Sequence, residues 1–299
     1  MAKITRREWS LGLLGALNMR AASPTADILV DTHVHLFADD QKAFPYHANA
    51  SYRPPAEPLA PYIEFVRQAK INHTIIVHPE PYQDDHRYLK YCIEHEPSRG
   101  FFKGTCLFDP IAAETPARMK QLMQEIPGRI VALRIHATAL PKDYPTRSGP
   151  IRDRDLSSPE MLRTWKAASD LGLAIQMHFI PYYAPQIRKL AEQFRSMPVI
   201  LDHLGRVGQG TAAEYDQVLR LSELPQVYMK YSGPYMDRKA IVKRAFESFG
   251  QDRMIWGGLG MNRQEFQKNS ALFDSTFDFT TADARAHIRG INAMKLYRF

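Results

Sequence analysis

Ile28-Leu29-Val30-Asp31-Thr32-His33-Val34-His35 runs from a short apolar stretch into paired histidines, and its reading decides the fold. On an extended strand successive side chains point to opposite faces, so His33 and His35 project together while Val34 turns away. Two imidazoles side by side can hold a metal ion or polarise a bound carbonyl. Taken alone, the motif fits equally well two histidines at an exposed strand end. The rest of the chain separates the two readings.

Beyond residue 27, short β-type runs alternate with helical stretches. The runs are Ile28 to Val30, His73 to His78, Phe101 to Phe108, Ile130 to His136, Ala174 to Phe179, Val199 to Asp202, Val227 to Tyr231 and Arg253 to Trp256. Between them lie helix-like segments such as Pro58 to Lys70, Asp84 to Glu96, Pro159 to Leu171 and Pro185 to Arg195, several opening on a proline at the first turn. Eight strands, most followed by a helix, predict an α/β fold: a single (β/α)8 TIM barrel over residues 27–299. A doubly wound open sheet would carry a glycine-rich dinucleotide fingerprint after its first strand, and none is present. Neither an internal repeat nor a linker divides the chain.

Residues 1–26 read differently. Thr5-Arg6-Arg7-Glu8-Trp9-Ser10 precedes a mostly apolar stretch from Leu11 to Met19, followed by Ala21, Ala22 and Ser23. This pattern resembles a twin-arginine export signal, which predicts a periplasmic or exported protein; an ordinary amphipathic helix on a cytoplasmic protein is the alternative. Lys3, Arg6, Arg7 and Arg20 against Glu8 account for three units of the formal net charge of +7. The mildly basic remainder argues against a nucleic-acid partner, which would be met by a concentrated basic patch. No apolar run is long enough to span a membrane. Cys92 and Cys106 have neither CxxC nor zinc-finger spacing.

In a barrel of this kind chemistry collects at the C-terminal ends of the strands. His33, His35, His78, His136, His178 and His203 fall at or just after such ends, with Asp109, Arg134 and Lys230 at comparable positions. Polar residues repeated at one rim are hard to explain as core packing. Two long connections, Ala38 to Glu57 and Ala137 to Ser157, are expected to shape the mouth. The first carries Phe44, Tyr46, His47, Tyr52 and Arg53; the second carries Lys142, Arg147, Arg152 and Arg154. Their basic side chains favour an anionic small molecule as partner. Arg134, His136, Tyr46 and Arg53 are thus the expected substrate contacts, and His178, His203, Lys230 and Asp109 the expected catalytic groups.

The ordered set of motifs resembles the amidohydrolase superfamily. It comprises Asp31-Thr32-His33-Val34-His35, His178 ending the fifth strand, Asp202-His203-Leu204-Gly205 ending the sixth, and Val227-Tyr228-Met229-Lys230-Tyr231-Ser232-Gly233 on the seventh. The nearest branch is the amidohydrolase-2 group of lactonases and decarboxylases. The resemblance implies that His33, His35 and His178 ligate a metal or polarise substrate, with His203 a further site residue. It leaves the cofactor at a divalent metal, zinc or manganese, or none, because decarboxylases of the group use an ion and the pyrone lactonase type does not. One departure matters. The group's eighth strand typically ends Trp-Gly-Ser-Asp-Trp-Pro, whereas this chain reads Trp256-Gly257-Gly258-Leu259-Gly260-Met261. Leu259 can neither ligate nor accept a proton, so Glu80, Asp109, His136 and His203 become candidates for proton transfer. The expected function is a hydrolase opening a lactone or related cyclic ester; the alternatives are a decarboxylase of the same branch and a binding protein on an enzyme scaffold.

Overall fold

The computed structural model describes residues 28–144, 149–258 and 263–299. The segment read as an export signal, Arg147, and Leu259 at the departure in the eighth strand all lie outside the described residues. In chain order the elements are β1 (Val30–Val34), α1 (Leu59–Gln68), β2 (His73–Val77), α2 (Arg87–Glu94), β3 (Phe102–Cys106), α3 (Thr115–Glu125), β4 (Ile130–Ala137) and α4 (Pro159–Asp170). Next come β5 (Ala174–Phe179), α5 (Ala184–Gln193), β6 (Val199–Leu201), α6 (Ala212–Arg220), β7 (Val227–Tyr231), α7 (Lys239–Phe249), β8 (Met254–Trp256) and α8 (Arg263–Thr276). α9 (Ala282–Ala286) and α10 (Asn292–Tyr297), joined by a π-turn at His287–Ile291, end the chain.

The eight strands form one parallel sheet in sequence order, β1 to β8, as expected of a (β/α)8 barrel. Each predicted strand appears within a few residues of its expected bounds. The largest difference is β1, which begins at Val30 and carries the chemistry inside it rather than after it. Its pairing with β2 is irregular between Asp31 and Val34, the kind of local bulge that re-aims side chains beside functional sites. Between β8 and β1 the seam is closed by side chains. Thr32 Oγ1 donates to Trp256 O at 2.6 Å, and Asp31 Oδ1 accepts from Gly258 N at 2.9 Å.

Helix starts follow the proline and cap chemistry. Ser158 caps α4 by accepting from Met161 N at 3.1 Å with Pro159 in the first turn, and Thr211 and Glu214 form a reciprocal capping box on α6. Caps of this sort are worth about 0.5–2 kcal/mol each. Two apolar layers result. The outer one packs helices onto the sheet around Trp165, Phe102 and Phe179; the inner one holds Val30, Ile75, Ile200 and Ile255 together with Ala293 and Tyr297 of α10. The last helix thus closes the barrel floor, leaving the opposite end for chemistry. Gly290 in the π-turn meets the start of β1 so closely that a Cβ there would lie 2.0 Å from Ile28 O. Because that neighbour is backbone, Gly290→Ala is expected to destabilise the protein by about 1–3 kcal/mol in chemical denaturation. An unchanged midpoint would mean that the floor is not rigidly seated.

Candidate active site

At the C-terminal ends of the strands lies a cavity of about 420 Å³ walled by His33, His35, His136, His178, His203 and Arg134. Five of the expected rim histidines therefore converge. The sixth, His78, is buried elsewhere, stacked on His86 at 4.3 Å with Nε2 on Gln83 O at 3.0 Å.

The β1 pair is held in a defined state. His35 Nδ1 donates to Val77 O at 2.7 Å, so its Nε2 is an unprotonated acceptor, 3.4 Å from His33 Nε2. The other nitrogen of His33, Nδ1, faces Asp202 Oδ1 at 3.8 Å and is buried without a hydrogen-bond partner among the described residues. Whichever nitrogen of neutral His33 carries the proton, one lone pair faces another. A proton at Nε2 leaves Nδ1 against the carboxylate, and a proton at Nδ1 leaves Nε2 against His35. Double protonation would satisfy both, yet burial and the nearby Lys230 charge hold His33 well below the usual imidazole range. A divalent cation held by His33 and His35 would resolve the conflict. Two nitrogen ligands about 2.0–2.1 Å from a tetrahedral zinc stand roughly 3.4 Å apart. The donor set fits such an ion. A second convergence, His33, Asp202 and His203, brings one ligand atom from each within 4.8 Å.

Beneath the histidines sits Asp202, at the end of β6 and fully buried. Its Oδ2 accepts from Arg134 Nε at 3.0 Å and Gln176 Nε2 at 3.1 Å, and its Oδ1 lies 3.2 Å from Lys230 Nζ. Burial alone would raise its pKa, but the Lys230 and Arg134 charges overcome this and hold the carboxyl well below the usual range. Lys230 also donates to Thr32 O at 3.0 Å. The expected catalytic lysine is therefore a buried strut that ties β7 to β1 and β6, and it does not line the cavity.

Immediately after Asp202 the backbone makes a left-handed turn, with φ of +55° at His203, +53° at Leu204, +63° at Gly205 and +51° at Arg206. For the three non-glycine residues this costs on the order of 1–2 kcal/mol each. Gly205 relieves one step and packs close to α6, where a Cβ would lie 2.5 Å from Val218 Cγ1. The turn delivers two side chains to the cavity. His203 Nδ1 meets Ser232 Oγ at 2.9 Å, and Arg206 Nη1 donates to His178 Nε2 at 2.8 Å. The third histidine expected to bind metal thus has its outward lone pair occupied by a guanidinium, and the ion-fitting pair is His33 with His35.

Other expected site residues are engaged away from the cavity. Both carboxylate oxygens of Asp109 pair with Arg154, an ion pair that fastens the long connection after β4 to the loop after β3. Tyr46 packs on Tyr82 at 5.2 Å and bonds Pro54 O, while Arg53 bonds His47 O and Ala48 O within its own loop. The basic wall comes instead from Arg134 and Arg206, whose remaining guanidinium N–H groups make no hydrogen bond among the described residues. Tyr52 and Glu80 complete the rim, Glu80 held by Ser51 Oγ at 2.9 Å. Sequence reasoning misses the roles of Asp202 and Arg206; their signal is the Asp-His-Leu-Gly-Arg run, in which a glycine follows a strand-end histidine by two.

The amidohydrolase family model matches residues 30–299, nearly the whole chain. The chain belongs to that family. No curated protein sequence matches it. Among solved structures, it is similar to a probable 2-pyrone-4,6-dicarboxylic acid hydrolase of Acinetobacter baumannii with citric acid bound, at 19% identity, a TM-score of 0.71, and coverage of 91% of this chain and 99% of that one. It is similar to an amidohydrolase of Burkholderia multivorans with bound zinc, at 14% identity and a TM-score of 0.67, covering 91% and 99% of the two chains. It is also similar to a dihydroxybenzoic acid decarboxylase of Polaromonas sp. JS666 with bound manganese, at 13% identity and a TM-score of 0.63, covering 91% and 97%. At these identities the likeness establishes the shared barrel.

Proposed function

We propose that this amidohydrolase opens a lactone or related cyclic ester that carries a carboxylate. The observation that carries the reading is the placement of the His33–His35 pair together with Arg134 and Arg206 in the lining of one cavity. Imidazoles that can polarise a carbonyl then stand against guanidinium groups that can hold an anion, the latter with the charge-assisted geometry arginine gives to carboxylates. A divalent ion held by His33 Nε2 and His35 Nε2 would polarise the ester carbonyl and lower the pKa of a bound water to about 7. The chain's own residues do the rest. Arg134, fixed by Asp202, and Arg206 orient the carboxylate, and Tyr52 covers the mouth. Glu80, His136 and His203 face the cavity as the groups able to move a proton; Asp109, bound to Arg154, does not. Replacement of the eighth-strand aspartate by Leu259 weighs against a decarboxylase, which leans on that group.

The test is proton release from a panel of lactones with and without a ring carboxylate, since ester opening at neutral pH yields a new carboxylate and one proton. Turnover is expected for the carboxylated members, with Arg134→Gln raising KM about tenfold or more. Binding without turnover across the panel would make the protein a binder, and carbon dioxide release from hydroxybenzoic acids would make it a decarboxylase. We retain the export reading of residues 1–26 as part of the proposal; a mature periplasmic form shortened by that segment is its check.

A further inference from the structure

The contact between Arg206 and His178 is unlike the other polar contacts of the cavity. A permanently charged guanidinium donates to the imidazole Nε2 at 2.8 Å, so that nitrogen is an acceptor and its proton sits on Nδ1. His178 Nδ1 is itself buried without a partner among the described residues. The nitrogen that faces the cavity is therefore masked by the same side chain that offers the strongest handle for an anion. An imidazole lone pair is a weaker partner for guanidinium than a carboxylate, which accepts two parallel N–H bonds and neutralises the charge. Within the cavity that exchange gains further, because the Arg134 guanidinium stands close by and Arg206 itself is half-buried.

We propose that Arg206 is a cap on His178 that the carboxylate of the substrate removes, making that carboxylate a requirement for turnover and not for binding alone. The inference rests on the anionic-substrate reading above. When the carboxylate takes the guanidinium, His178 Nε2 is freed toward the reacting group; an uncharged ester enters the cavity but leaves the cap in place. Selectivity is then expressed in kcat, because the anion's binding energy is spent on uncovering a functional group. The coupling is reciprocal: whatever engages Nε2 also favours anion binding at Arg206.

The direct readout is the imidazole nitrogen. Metal-stripped protein labelled with ¹⁵N-histidine is titrated with benzene-1,3-dicarboxylate, an unreactive aromatic dianion, and the His178 signals are assigned by their loss in His178→Gln. We expect the Nε2 resonance to move toward the position of an unbonded imine nitrogen as the dianion saturates. Arg206→Gln should show that position without any dianion, and the wild-type titration stands if that variant does not fold. With lactone substrates, the kcat advantage of a carboxylated over an uncharged member, about tenfold or more in wild type, should shrink in Arg206→Gln. Saturable binding of the dianion with an unmoved His178 resonance would overturn the cap while leaving the anion site standing. Absence of any binding would overturn both.

Discussion

Replacing Asp202 with asparagine is expected to cost about 3–5 kcal/mol of stability, the penalty for leaving buried charges without their partner. Asparagine matches the shape and keeps a hydrogen bond to Gln176, so the change isolates the charge. What it strands is Arg134 and Lys230, the first 4% exposed at its side chain and the second fully buried. For a protein of this size the midpoint of thermal unfolding should fall by on the order of 10 °C. Turnover should fall with it, because Arg134 loses its anchor and His33 the carboxylate beside Nδ1. The pH dependence gives a second signature. Asp202 is depressed in the folded state, so its contribution is complete above its unfolded value of about 3.9 and is lost only as pH falls through the folded value. The buried histidines are lowered too, His35 and His136 to about 3 and His203 to about 4, with burial the leading cause in each. Their neutral forms are favoured by folding, so their contribution is complete above the unfolded value of about 6.5 and drains away as pH falls below it. Wild type and Asp202→Asn should therefore lose stability in parallel between about pH 6.5 and 5, and their curves should converge only in strong acid. A difference below about 1 kcal/mol at neutral pH would mean that the two cations do not depend on this carboxylate.

Asp202 also marks where sequence reading stops. Alternating apolar runs, proline-opened helices and histidines at strand ends are local signals, and from them the barrel and the convergence of His33, His35, His136, His178 and His203 can be read directly. What the polar side chains do there depends on partners far away in the chain. Asp109 is attractive by position, but its fate is set by Arg154, and that of Lys230 by Asp202 and Thr32. Neither pairing follows from spacing. Arg206 is hidden for another reason. Four consecutive residues with positive φ are improbable for anything but glycine, so no propensity argument would place an arginine three residues past His203 back over the cavity. Basic loop residues are the natural candidates for an anion site, yet Arg154 and Arg53 are spent on structure and the guanidinium groups that line the cavity belong to Arg134 and Arg206. Strain and buried charge, both unfavourable by themselves, are concentrated on β6 and the turn after it, as expected where function rather than stability sets the arrangement.

Replacing His33 and His35 together with alanine is expected to abolish specific binding of a divalent ion and to lower turnover by about 10²–10³-fold, the range for removing a group that stabilises developing charge on a carbonyl oxygen. The argument begins with the lone-pair conflict. Because His35 Nδ1 is committed to Val77 O, His35 Nε2 can only accept, and no neutral tautomer of His33 satisfies both Nε2 and Nδ1. A cation held by His33 and His35 would remove the repulsion and leave His33 Nδ1 free to donate to Asp202, so the folded chain should bind zinc or manganese while the unfolded chain does not hold the pair together. Ligand binding to the native state alone stabilises by about 2.7 kcal/mol at a hundredfold excess over Kd. Adding zinc to metal-stripped wild type should therefore raise the melting midpoint by roughly 5 °C, at about 2 °C per kcal/mol for a chain of this length. The double variant should show no such shift, and elemental analysis should find near-stoichiometric metal in wild type and none in the variant. Wild-type protein that neither retains nor responds to either ion would sink the metal-assisted route. Polarisation of the carbonyl would then fall to a protonated nitrogen of His33 with the neighbouring guanidinium groups, and the double variant would still lose activity, but with no metal dependence to lose.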